Sequence, residues 1–180
     1  MSDGDSSYLA MLNNPVINPP ANSEPAATQE TTTVNAPLAT FEAATKAQKE
    51  LKDASKNLEL ISETEAEFQS VNVAWGKNTE LPTPEQLAQL GLISDPAAPC
   101  KTKTLDQFFS TRTSEESDSY GQAARFRQLE AKLVEVFGGK DKARVYQIGE
   151  YTITVLILGV INGENGNNAL VGLRSLLVQT

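Results

Sequence analysis

The sequence predicts an α+β fold, a largely antiparallel sheet covered by helices. Two observations carry this. Helical periodicity dominates the folded region up to about residue 137, whereas the last third alternates apolar and polar residues as strands do. Helices first and an antiparallel meander later is the order expected of α+β. The length of 180 residues suits one domain of ordinary size.

Residues 1–41 differ in kind from the rest. They hold five of the nine prolines and four acidic residues but no Lys or Arg. So little apolar material cannot offset an ordering cost of ~1–2 kcal/mol per residue, so a disordered tail is expected. Its apolar cluster, Tyr8, Leu9, Met11 and Leu12, reads first as leftover apolar residues with no role and second as a short docking motif. The folded domain is expected over 42–180.

From Phe41 the pattern changes. Ala44, Leu51 and Leu58 recur at sevens, with Ala47, Ala54 and Ile61 on the adjacent ridge, which predicts an amphipathic helix ending near Leu58. Phe68, Val71, Val73 and Trp75 predict a strand that stops at Gly76-Lys77-Asn78. Thr83-Pro84-Glu85-Gln86 is a capping box with proline at the first helical position, and Gly91 stands where a C-terminal cap belongs. Asp95 to Pro99 reads as a loop that carries on into Cys100. Thr104 to Phe109 is a second short capped helix presenting two phenylalanines to the core.

Ser110 to Gly121 is too polar for anything but a surface loop. Ala123, Phe126, Leu129, Leu133, Val136 and Phe137 form one helical face, closed by Gly138-Gly139. Val145 to Ile148 is a strand that turns at Gly149-Glu150. Tyr151, Ile153, Val155 and Ile157 then alternate with Thr152, Thr154 and Leu156, and Leu170 to Val178 closes the chain as a last strand.

Composition removes whole classes of chemistry. Lys plus Arg total 15 against 23 for Asp plus Glu, a net charge of −8, and there is no histidine. Without histidine no Ser-His-Asp or Cys-His nucleophile arrangement exists, and no imidazole serves as base at neutral pH. The single cysteine, Cys100, cannot form an intramolecular disulfide. An acidic chain with no basic stripe is unsuited to holding nucleic acid directly. No acidic spacing marks a catalytic pair, so no enzyme, cofactor or metal of its own is expected. The opening MSDGDSSYLAML has no positive region ahead of an apolar core, and the longest apolar run, Tyr151 to Ile161, is too short to span a bilayer. A soluble, cytoplasmic protein that touches no membrane is the expectation.

Five ordered pieces resemble the nuclease A inhibitor family. They are Leu51 to Ser55 with Leu60 to Glu65 and Phe68; Asp106 to Ser110; Ala124 to Leu129; Val145 to Glu150; and Leu170 to Thr180. The resemblance implies a small three-layer α/β/α sandwich that blocks sugar-non-specific, magnesium-dependent endonucleases in a one-to-one complex, and is a monomer when free. It also implies site residues. The glutamate of the family's Ser-Glu-Ser/Thr-Glu turn falls on Glu63, flanked by Ser62 and Glu65, and reaches the nuclease's magnesium site. The C-terminal carboxylate falls on Thr180.

Both assignments have a physical rationale, because a hard cation takes oxygen ligands and a carboxylate can stand where a substrate phosphate oxygen would. Taken alone, the run Ser62 to Glu67 reads only as a solvated turn. The family's contact loop before the long helix matches Asp118 and Tyr120, but Ser119 stands in place of its tryptophan. Ala66-Glu67 likewise replaces an aromatic-proline pair after the turn. Trp75, at a strand end, reads first as a core or rim residue and second as a further candidate contact. The competing reading is an interaction module of the same fold that has lost the nuclease and recruits another partner, through its N-terminal tail.

Overall fold

A computed structural model of the chain describes residues 36–180. The predicted tail up to residue 35, with its Tyr8 to Leu12 cluster, lies outside the described residues. The remaining six tail residues do not behave as a tail. Ala39 is buried in the main core, and the Pro37 carbonyl accepts a 2.8 Å bond from Ala74 N–H. The expected boundary at Phe41 therefore moves towards the N-terminus.

Helix α1 (Glu42–Ser55) buries Ala44, Ala47 and Leu51, the predicted stripe. It stops three residues short of Leu58, because Lys56 turns extended and Asn57 takes the left-handed conformation at φ 60°. Asparagine tolerates that conformation. The turn drops Leu58 into the core with no exposed surface.

Two three-residue strands follow, β1 (Glu59–Ile61) and β2 (Glu65–Glu67), paired as an antiparallel hairpin. The hairpin replaces two expectations, the place of Ile61 on the helical ridge and the plain turn over Ser62 to Glu67. Strand β3 (Gln69–Gly76) comes next, then α2 (Pro84–Gln89), β4 (Cys100–Lys103) and α3 (Leu105–Phe109). Helix α4 (Ala123–Phe137) leads into β5 (Ala143–Ile148), β6 (Thr152–Ile161) and β7 (Asn168–Val178).

The predicted capping box at α2 forms in full, and the predicted capped helix α3 carries one too. Thr83 and Gln86 exchange side-chain and backbone bonds at α2, and Thr104 and Gln107 do so at α3. Gly138, left-handed at φ 82°, ends α4 as expected. Strand β4 is a correction, since the segment after Pro99 does not remain a loop. It pairs with β5 from Cys100↔Ile148 to Lys103↔Val145, on backbone hydrogen bonds rather than on side-chain character.

The five-stranded sheet runs β3-β7-β6-β5-β4, with every neighbouring pair antiparallel. Alternation sorts its side chains into two cores. Val145, Val155, Ile157, Val171 and Leu173 face α1, α3 and α4. Tyr146, Leu156, Leu158 and Leu170 face the opposite way, against Leu87 of α2, Leu92 and Ile93. The α+β class stands, with apolar cover on both faces of the sheet. That cover is unequal, three helices on one side and the six-residue α2 on the other.

One polar group ties the thinner side together. The Tyr146 hydroxyl donates to the Pro82 carbonyl at 2.8 Å, and burial pushes its phenol up to about 12.

Candidate functional site

The hairpin β1–β2 carries Ser62-Glu63-Thr64 at its tip, closed by a 2.9 Å bond from Ser62 N–H to the Thr64 carbonyl. Its body is anchored from two sides. Leu60 is buried in the main core, and Ser175 of β7 donates its hydroxyl to the Ala66 carbonyl at 3.0 Å. Across from it, the Gln122 amide grips Glu59 at both backbone groups, accepting from its N–H at 3.1 Å and donating to its carbonyl at 3.4 Å. A hairpin of six paired residues would be unstable alone. Here these tertiary bonds hold it.

The tip meets the end of β7. Ser62 Oγ accepts from Val178 N–H at 2.9 Å, and Glu63 N–H donates to the Val178 carbonyl at 3.4 Å. Beyond the strand, Thr180 N–H donates to Glu63 Oε1 at 3.2 Å, and the Thr180 hydroxyl donates to the same oxygen. Glu63 and Thr180, 117 positions apart in sequence, are thus hydrogen-bonded neighbours, and both are exposed. Ser62 is half-buried and holds the tip to the strand, while Glu65 stands exposed on β2, paired with Ile61.

The loop before α4 borders this hairpin. Residues 117–120 and the β1 residues Glu59 to Ile61 line a shared shallow concavity of about 230 Å³. Asp118 is committed to the helix start. Its carboxylate accepts Gln122 N–H at 2.7 Å and Ala123 N–H at 3.1 Å, two of the donors that a helix N-terminus leaves unpaired. Tyr120 is 66 % exposed. Beneath the loop, the Arg112 guanidinium lies 4.0 Å from the centre of the Phe108 ring and donates to the Phe108 carbonyl.

Trp75 does not belong to this group, which corrects its place among the candidate contacts. It is buried in the second core, with Nε1 donating to the Glu80 carbonyl at 2.8 Å. It sits at the far end of β3, where Gly76 pairs with Asn168. Ten residues of β7 separate that pair from Val178, about 30 Å at the usual strand rise.

One residue of this end escaped the sequence reading. Tyr151, assigned to the alternating core of β6, is 68 % exposed, and its carbonyl accepts Gln179 N–H at 2.8 Å. The turn at Gly149-Glu150 immediately before it was the available signal.

Among the described residues, no three His, Cys, Asp or Glu side chains are grouped to hold a metal ion, and no helix is long and apolar enough to cross a membrane. A family model described as nuclease A inhibitor-like protein matches residues 45–180, well over half the chain. The comparison with curated proteins returns no match.

Proposed function

Since the chain belongs to the nuclease A inhibitor-like family, and so to a family of nuclease inhibitors, we propose that it plugs the active site of a magnesium-dependent, sugar-non-specific endonuclease. The observation that carries this mechanism is the adjacency of Glu63 and Thr180 on one exposed end. A carboxylate there can replace a substrate phosphate oxygen at the partner's magnesium, whose hard, oxygen-seeking character suits it. The terminal carboxylate of Thr180 acts beside it.

The Thr180 bonds fix Glu63 before any partner arrives, so little side-chain freedom is lost on binding. The net charge of −8 steers the protein towards a cleft built to attract nucleic acid. The complex is one-to-one and of standard size, roughly 1,600 Å² of buried surface, formed by a free monomer in the cytoplasm. Asp118 serves at the rim by fixing the loop that presents Tyr120.

The test is Glu63→Gln, titrated against such a nuclease with untagged protein at fixed, excess magnesium. The amide oxygen still accepts the Thr180 bonds, so the melting temperature should hold while inhibition weakens about tenfold or more. Full inhibition by this variant would remove Glu63 from the mechanism. A folded wild-type protein that inhibits no nuclease of this class would favour the interaction-module reading instead.

A further inference from the structure

We propose that Tyr151 is an aromatic anchor of the surface that carries Glu63 and Thr180, packing against the nuclease when the carboxylates enter its cleft. The inference rests on the inhibitor reading and deepens it.

Among the described residues, the large hydrophobic side chains left exposed are Leu38, Tyr120 and Tyr151. Two of these three belong to the same end of the molecule. Tyr120 comes from the loop beside β1, and Tyr151 stands on the other side of β7. The last residues of β7 lie between the hairpin tip and Tyr151. Val178 bonds to Ser62 and Glu63, and Gln179 bonds to Tyr151. Two strand spacings therefore separate the backbones of Glu63 and Tyr151, about 10 Å.

That distance is within the reach of one interface. A standard interface covers about 800 Å² per partner, a disc of about 16 Å radius. A patch of that size centred on Glu63 and Thr180 extends past the Tyr151 backbone. The tyrosine is also suited to the contact. Its backbone is pinned by the Gln179 bond, so the segment that carries the ring is ordered before binding. Its ring offers broad apolar area with a polar tip, the character enriched at interface hot spots. Carboxylates beside an exposed ring match a cleft with a metal floor and an apolar wall that receives nucleotides.

The experiment compares wild type, Tyr151→Ala and Tyr151→Phe by inhibition titration against a magnesium-dependent non-specific nuclease, alongside thermal melts. Tyr151→Ala is expected to weaken inhibition about 10- to 30-fold at unchanged melting temperature. Tyr151→Phe should stay within about threefold of wild type. If wild type inhibits and Tyr151→Ala matches it, the anchor is refuted and the inhibitor reading stands. If folded wild type does not inhibit, both fall together. Hydroxyl-radical footprinting of the wild-type complex decides without a variant: protection of Tyr151 supports the anchor, and undiminished oxidation overturns it.

Discussion

Replacing Ser62 by alanine separates a residue that holds the site from one that touches the partner. Ser62 Oγ accepts the Val178 N–H at 2.9 Å and the Thr64 N–H at 3.5 Å, and donates to the Thr64 carbonyl at 3.3 Å. Ser62→Ala removes all three, the long Thr64 N–H bond mattering least, although the backbone bond from Ser62 N–H to the Thr64 carbonyl survives. A lost net bond costs ~0.5–1.5 kcal/mol, and a stranded buried donor ~1–3 kcal/mol. Val178 is only half-buried, so water recovers part of the penalty. The sum is about 1.5 kcal/mol, or about 5 °C in melting temperature for a domain of this size.

Calorimetry and inhibition titration should be run on the same samples, with Ser62→Thr as the variant that keeps the oxygen. The expected outcome is a lowered melting temperature, partly restored by threonine, with inhibition weakened by no more than about tenfold. An unchanged melting temperature with collapsed inhibition would refute the reasoning, because Ser62 would then be a direct contact.

Three further outcomes test the frame around the site. Asp118→Ala should lower stability by ~1–2 kcal/mol, measured by urea unfolding, since two backbone donors at the start of α4 lose their acceptor. Gly159→Ala should cost ~1–3 kcal/mol in the same assay, because a Cβ there would lie 2.3 Å from the Phe137 ring. Tyr146 sets an alkaline limit. Its folded pKa is raised to about 12 by burial, above the ordinary value of ~10, so its stabilising effect is full below pH 10 and is lost as pH rises towards 12. Denaturant midpoints should fall across that window in wild type and much less in Tyr146→Phe, which starts less stable through loss of the Pro82 bond.

What the sequence made legible was local chemistry repeated at a fixed spacing. Phe126, Leu129, Leu133 and Phe137 mark one face of α4, and Gly138 ends it within a residue of expectation. The two capping boxes are contained in four residues each, so nothing distant could alter them. Elements that exist through a neighbour were not legible. Lys101 and Lys103 disfavour a strand, yet β4 forms because β5 offers a complete ladder. The hairpin strands are three residues long and depend on Gln122, Ser175 and Val178, all far away in sequence.

The site divides in the same way. Glu63 and Thr180 were named through a family pattern, and no local feature could have shown that they touch. Alternation gave Trp75 its strand, but it carried the β6 pattern one residue too far, to Tyr151. The α2 segment covers Trp75, whereas Tyr151 lies past the end of its strand.

The order β3-β7-β6-β5-β4 has a consequence for how the protein comes into being. Strand β3 is the first of the five to be synthesised, and β7, its one neighbour in the sheet among the described residues, is the last. During translation β3 must wait, with its apolar residues Val71 and Val73 unpaired, for nearly a hundred residues to follow it. Pairings at such separation close slowly. The same late strand brings Val178 and Thr180 to the hairpin tip, so the turn bearing Glu63 is fastened in the step that completes the sheet. A nascent or C-terminally clipped chain would carry the acidic tip loose, and the capacity to engage a partner would report that the whole sheet has closed.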